Sequence, residues 1–201
     1  MIFFDIETVS VYDHKERWSK HFKDLHEKYG DKLYFMPEYN KVAVIAFACV
    51  EKDGSTTLRN TKGTEKEQID AFFKYIWSKT AHHICGYNIK KFDIIFLIKR
   101  ALHHKIHIPR QLKFFGKKPW EMEHIIDLWD VYNHNMYGTF GSMDLVSNFL
   151  GITNPKEAWV DGSMVQWLYD EGKLDEIKEY CRRDVQANID LYKYFREYNL
   201  I

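Results

Sequence analysis

From residue 64 onward, short apolar runs that suit strands alternate with longer amphipathic stretches that suit helices. This alternation limits the chain to a sheet covered by helices. The stretch "TEKEQIDAFFKYIWSKT" (64–80) opens with Thr64 and Glu67, a capping-box pair that predicts a helix start. A buried strand is expected at "HHICGYNI" (82–89), followed by a helix over "FDIIFLIKRALHH", and another strand around "HIIDLWD" (124–130). Helical segments are expected near 142–150, 161–171 and 173–198. Upstream, residues 1–8 read as a first strand, and "KVAVIAFACVEKDGSTTLRN" (41–60) as two more joined at Asp53-Gly54, a favoured hairpin dipeptide. Between them, Trp18, Phe22, Leu25 and Tyr29 recur at helical spacing in a charged stretch, 13–30, that ends at Gly30.

The 201 residues, 45% hydrophobic and 16% aromatic, suffice for one sizeable core. The chain reads as a single domain, 1–201, with a helical insertion around 9–40. Its 29 basic and 29 acidic residues cancel, so any polyanion must be held by local patches instead of a global field. Cys49, Cys85 and Cys181 are far apart and form no paired motif, which argues against a disulfide framework and suits a reducing compartment. They read as small core residues. No apolar stretch approaches the roughly 20 residues of a membrane helix, so a cytoplasmic protein without a membrane partner is expected.

Within the first strand, "FFDIET" places Asp5 and Glu7 two apart, hence on one face, with Phe4 and Ile6 on the other. Two like charges so close need solvent or a cation. A strand end reaching water is one reading; a metal site is the other. Further carboxylates are available to such a site. Asp93 closes "GYNIKKFD" (86–93) at a strand-to-helix junction, where a helix N-terminus would also favour it. In "YCRRDVQAN" (180–188), Tyr180 and Asp184 are four apart and share one helical face. Four carboxylates without a soft ligand suit Mg²⁺ or Mn²⁺.

In order and spacing, these residues resemble the DEDD superfamily of 3′→5′ exonucleases, tyrosine subclass. Asp5 and Glu7 match the first motif, Asp93 the second, and Tyr180 with Asp184 the third. The chain is similar, more closely, to stand-alone exonucleases related to the proofreading domain of family B DNA polymerases. "GYNIKKFD", "SMDLVSNFLGI", "DGSMV" and "EYCRRD" carry the likeness beyond the carboxylates. The resemblance implies a ribonuclease H-like α/β fold: a mixed five-stranded sheet flanked by helices, with the first three strands antiparallel, the later ones parallel, and the acidic cluster at one sheet edge. It implies two divalent cations, Mg²⁺ or Mn²⁺, that clamp the attacking and leaving oxygens at a terminal phosphodiester. Asp5 would bridge both, Glu7 and Asp184 would complete the site of the attacking water, Asp93 would act through the second ion, and Tyr180 would orient the water.

The same resemblance implies substrate contacts at Thr8, Asn88, Phe92, Ser142, Met143 and Lys156, with Met143 standing where the family commonly has Leu. The expected substrate is the 3′ end of single-stranded or frayed DNA, released as nucleoside 5′-monophosphates in proofreading or repair. A polymerase or replication partner would act in trans. An exoribonuclease and a non-catalytic end-binding accessory protein remain the alternatives. "KFFGKKPW" (113–120) interleaves lysines with aromatics, as either a single-strand groove or a loop tucking its rings into the core would. His103 and His107 have the spacing of helical metal ligands but no third ligand, and read as surface residues.

Overall fold

Alternation along one strand sets the architecture. Strand β1 (Ile2–Ser10) turns Phe3 into one apolar cluster and Phe4 and Ile6 into another, so it must be covered on both faces. It lies at the centre of a five-stranded sheet ordered β3-β2-β1-β4-β5. On one side, β1 pairs antiparallel with β2 (Asn40–Val50), and β2 antiparallel with β3 (Thr56–Asn60). On the other side, β4 (Ile84–Gly86) runs parallel to β1, and β5 (Ile125–Asp127) parallel to β4. The computed structural model describes residues 1–13, 16–51, 54–79, 82–134, 141–152 and 162–201, without the side chains of 18, 119 and 120.

Helix α1 (Lys20–Tyr29) lies between β1 and β2; Ser19 caps it and Gly30, with φ 57°, ends it. The stretch read as one helix over 13–30 is therefore a short 3₁₀ turn at Glu16–Trp18 followed by α1. One face of the sheet carries α2 (Glu65–Ser78) and α3 (Asp93–His103), which pack Ile69, Phe72, Phe73, Phe96 and Leu97 against Phe4, Ile6 and Ile45. Both halves of the Thr64–Glu67 capping box form. The other face carries α4 (Leu128–Tyr132), α5 (Met143–Phe149), α6 (Val165–Asp170) and the long α7 (Leu174–Glu197). On α7, Ile177, Tyr180, Cys181, Asp184, Val185 and Asn188 recur every three or four residues, and that stripe is buried. Each fully buried Phe or Ile contributes about 1.5–3 kcal/mol, so the two clusters hold the sheet between its helical layers.

Several expectations change in detail. The acidic cluster, expected at one sheet edge, includes Asp5 and Glu7 on the central strand, with β4 and β5 pairing beyond it. The expected strand 82–89 shrinks to Ile84–Gly86: a Cβ at Gly86 would sit 2.9 Å from the Phe4 carbonyl oxygen, and Asn88 turns the chain away with φ 58°. The expected strand 124–130 gives three strand residues, after which Asp127 caps α4. Asp53, of the expected hairpin dipeptide, lies outside the described residues. All three cysteines are free and buried.

Candidate active site

Three elements converge where β1 passes under α7 and the start of α3. Asp5 and Glu7 point to the α7 side of β1, in step with Phe3, and a bulge between Glu7 and Thr8 shifts the pairing with β2 just beyond them. Asp93 is the first residue of α3; its Oδ1 accepts the Ile6 N–H at 3.2 Å and so fixes the helix end to the strand. Tyr180 and Asp184 project from α7 one turn apart, both buried. Cys181 adds a thiol 3.6 Å from Asp5 Oδ2.

The electrostatics follow from this crowding. Burial pushes the Asp5 carboxyl well above its ordinary range, and Asp93, Asp184 and Glu7 push it further. Asp93 is raised to about 7, chiefly by burial, although the Ile6 N–H works against the shift. Burial raises the Tyr180 phenol too, followed by Asp184, Glu7 and Asp5. Burial is the leading cause of each of these shifts, and the neighbouring carboxylates add to it for Asp5 and Tyr180. Asp5, Glu7 and Cys181 bring one ligating atom each within 4.8 Å of one another. Burial and Asp5 push the Cys181 thiol well above its ordinary range, and a hard cation would in any case prefer the carboxylate oxygens to sulfur.

A cleft of about 330 Å³ opens over this cluster. Asp5, Glu7, Asp93 and Asp184 line it, together with Asn88, Phe92, Ser142 and Met143. Thr8 and Tyr180 do not contribute to that lining; Tyr180 stays beneath it beside Asp184. Ser142 caps α5 through the Leu145 N–H, and Phe92 meets Phe35 edge-to-face at 6.0 Å. Lys156 lies outside the described residues. In 113–120, Phe114 packs onto the core while Phe115 is fully exposed. His103 ends α3 and His107 follows beyond it, so their spacing does not place them on one helical face.

Residues 33–199 match the family described as predicted 3′–5′ exonucleases related to the exonuclease domain of PolB. The chain belongs to this family. An exonuclease family implies a nucleic-acid substrate and hydrolysis, and such families typically use divalent metals. Asp93, Tyr180 and Asp184 fall within the matched residues; Asp5 and Glu7 precede them and are brought alongside by the fold. Among solved structures, the chain is similar to a family B DNA polymerase from the hyperthermophilic archaeon Pyrobaculum calidifontis. The TM-score is 0.66 at 18% identity, over 99% of this chain and 25% of that one. The exonuclease-family chain thus spans a quarter of that polymerase's length, and the likeness shows a ribonuclease H-like fold. No curated protein matches the sequence.

Asp127, which the sequence does not single out, supports the cleft from outside its lining, and Tyr87 and Trp129 line it without having been anticipated. Asp127, buried at the end of β5, accepts the N–H groups of Asn88 at 2.8 Å, Lys90 at 2.9 Å and Trp129 at 3.0 Å. It thereby shapes the segment that delivers Asn88, Phe92 and Asp93 to the cleft. Tyr87 fastens the same segment to the start of α5 by donating to the Gly141 carbonyl at 2.7 Å. The available signal was an Asp that ends an apolar strand and begins a helix, which is an N-cap pattern.

Proposed function

We propose that the protein is a metal-dependent 3′→5′ exonuclease of the tyrosine-type DEDD subclass, acting on single-stranded or frayed DNA 3′ ends. The observation that carries this reading is the convergence of Asp5, Glu7, Asp93 and Asp184 on one cleft, with Tyr180 against them. The donor set fits Mg²⁺ or Mn²⁺: several carboxylate oxygens, which are hard ligands, converge on one cleft. Asp5, Glu7 and Asp184 would hold one ion and Asp5 with Asp93 the second. When bound, the pair lowers the pKa of the attacking water and neutralises charge on the phosphodiester.

The chain's own groups have separable roles. Tyr180, its phenol raised by burial and by Asp184, keeps its proton and so orients the attacking water by hydrogen bonding instead of deprotonating it. Asn88, Phe92, Ser142 and Met143 line the same cleft and would contact the terminal nucleotides; Phe92 supplies a ring for base stacking. Thr8 and Lys156 remain candidates on the resemblance alone. Mononucleoside 5′-phosphates are the product, and proofreading or repair the setting, with any polymerase acting in trans.

The test is digestion of 5′-labelled single-stranded DNA, RNA and mismatched primer–template, each with Mg²⁺, with Mn²⁺ and with a chelator. Stepwise shortening of the DNA strands, lost on chelation and in Asp5→Ala while single-strand affinity in Ca²⁺ persists, is expected. Undiminished digestion after exhaustive chelation would sink the metal-dependent reading. Preferential digestion of RNA would instead make the enzyme an exoribonuclease, and intact binding with no cleavage under any metal would favour the end-binding role.

A further inference from the structure

A second cluster of ligand-bearing side chains sits at the other end of β1, where Ile2 pairs with Cys49 of β2. Cys49, Glu51 and His82 each present one ligating atom, and the three atoms lie within 4.8 Å of one another. Cys49 is near the end of β2, Glu51 follows that strand, and His82 precedes β4. Cys49 is buried, while Glu51 and His82 keep side-chain exposures of 43% and 25%, so an ion could enter from solvent.

We propose that Cys49, Glu51 and His82 form a zinc-binding site, with water as the fourth ligand. The set of one sulfur, one nitrogen and one oxygen is chemically unlike the all-carboxylate cleft and suits Zn²⁺ over Mg²⁺. A cation is already drawn to it: Lys79 Nζ lies 2.9 Å from Glu51 Oε1, and His82 Nε2 is 3.7 Å from Oε2. Tetrahedral bonds of about 2.0–2.3 Å put ligand atoms about 3.3–3.6 Å apart, a spacing that the His82–Glu51 pair at 3.7 Å already approaches, so binding draws the set together by about 1.5 Å at most. Lys79, on a partly exposed and flexible stem, must give up Glu51 at the same step. The Cys49 S–H proton leaves to solvent as the Zn–S bond forms, one proton per ion. The bound ion would join the end of β2 to the segment that links α2 and β4.

The experiment uses the full chain, stripped of metal and titrated with Zn²⁺ against a competing chelator at neutral pH. Co²⁺ serves as the spectroscopic substitute, because a cobalt–thiolate bond gives a charge-transfer band that carboxylates do not. The expected band survives Cys181→Ser, which alters the only thiol beside the catalytic carboxylates, and vanishes in Cys49→Ser. His82→Gln, at a partly exposed position that leaves the core intact, should weaken Zn²⁺ by about 10²-fold, since loss of even an outer partner of a ligand typically costs about 10–100-fold. Lys79→Met should tighten binding by removing the competing ammonium. The proposal is overturned if the band follows Cys181, if no thiolate band forms at all, or if His82→Gln binds Zn²⁺ as wild type does. Unchanged or weaker binding by Lys79→Met would equally overturn it, because the ion would then not be held at Glu51.

Discussion

Asp127 shows how a carboxylate can govern a site from beneath it. Its three N–H partners are all main-chain groups, so Asp127→Asn keeps the volume but replaces one acceptor oxygen with a donor, which must face the Asn88 or Lys90 N–H. Misplacing the 86–93 segment moves Asp93, and a shifted outer partner costs about 10–100-fold in metal affinity or activity. Asp127→Asn should therefore raise the Mg²⁺ concentration for half-maximal single-turnover rate by about that factor, with DNA affinity in Ca²⁺ far less affected. An unchanged metal dependence would reduce Asp127 to a cap of α4. The convergence of the four carboxylates on one cleft was expected from the sequence only through the family resemblance, since residue type and local spacing left a structural reading of each open. Asp127 was not, because its partners at Asn88 and Lys90 are 39 and 37 residues away and are backbone groups that any residue type supplies.

Among the elements, the start of α2 was the most legible, since a capping box is local chemistry: Thr64 with Glu67 opens that helix. Strand lengths were less so. Apolarity continues through Ile89, yet pairing stops at Gly86, because a strand ends where its partner does. How α2, α3 and β2 lock together was equally invisible. Glu65 accepts the Val42 N–H at 2.8 Å and pairs with Arg100, and both side chains are almost fully buried. His104 reaches the same carboxylate, and Arg100 also donates to the Pro37 carbonyl. Removing one member of such a buried pair leaves the other charge uncompensated, so Glu65→Gln should lower unfolding free energy by about 3 kcal/mol. Burial alone would raise the Glu65 pKa, but hydrogen bonds from Arg100, His104 and Val42 hold it below the ordinary 4.5. Its contribution is therefore present above about pH 4.5 and is lost as pH falls through the lower folded-state value. Denaturant titrations of wild type and Glu65→Gln at pH 7 and pH 3 should show the gap closing at the acidic end; a gap that persists would assign the loss to packing.

At the scale of the whole molecule, sequence order misleads about sheet order. The first strand written is the central strand built, because β4 and β5 add beyond it after helical crossovers. No local pattern encodes that placement, and none reveals that α7 crosses β1 closely enough to bring residues 5 and 184 together. The consequence is a fold that buries several carboxyls close together at its centre. Asp93 is raised to about 7 and Asp5 also stands well above its ordinary value, so the folded state holds protons that the unfolded chain releases near pH 4. Between those limits the native state binds more protons than the unfolded one, and stability must fall as pH rises. Metal-free protein should therefore lose Tm from pH 5 to pH 8, whereas saturating Mg²⁺ should remove most of that loss by stabilising the ionised carboxylates. Asp93→Asn should flatten the metal-free profile, because it deletes the group whose proton is surrendered, and should weaken the rescue by Mg²⁺. Thermal melts of both proteins, with chelator and with Mg²⁺, separate this from unrelated titrations elsewhere in the chain. If wild type and Asp93→Asn without metal follow parallel curves across that range, the carboxylates are not coupled to folding through their protons, and the cluster's burial has to be explained without them.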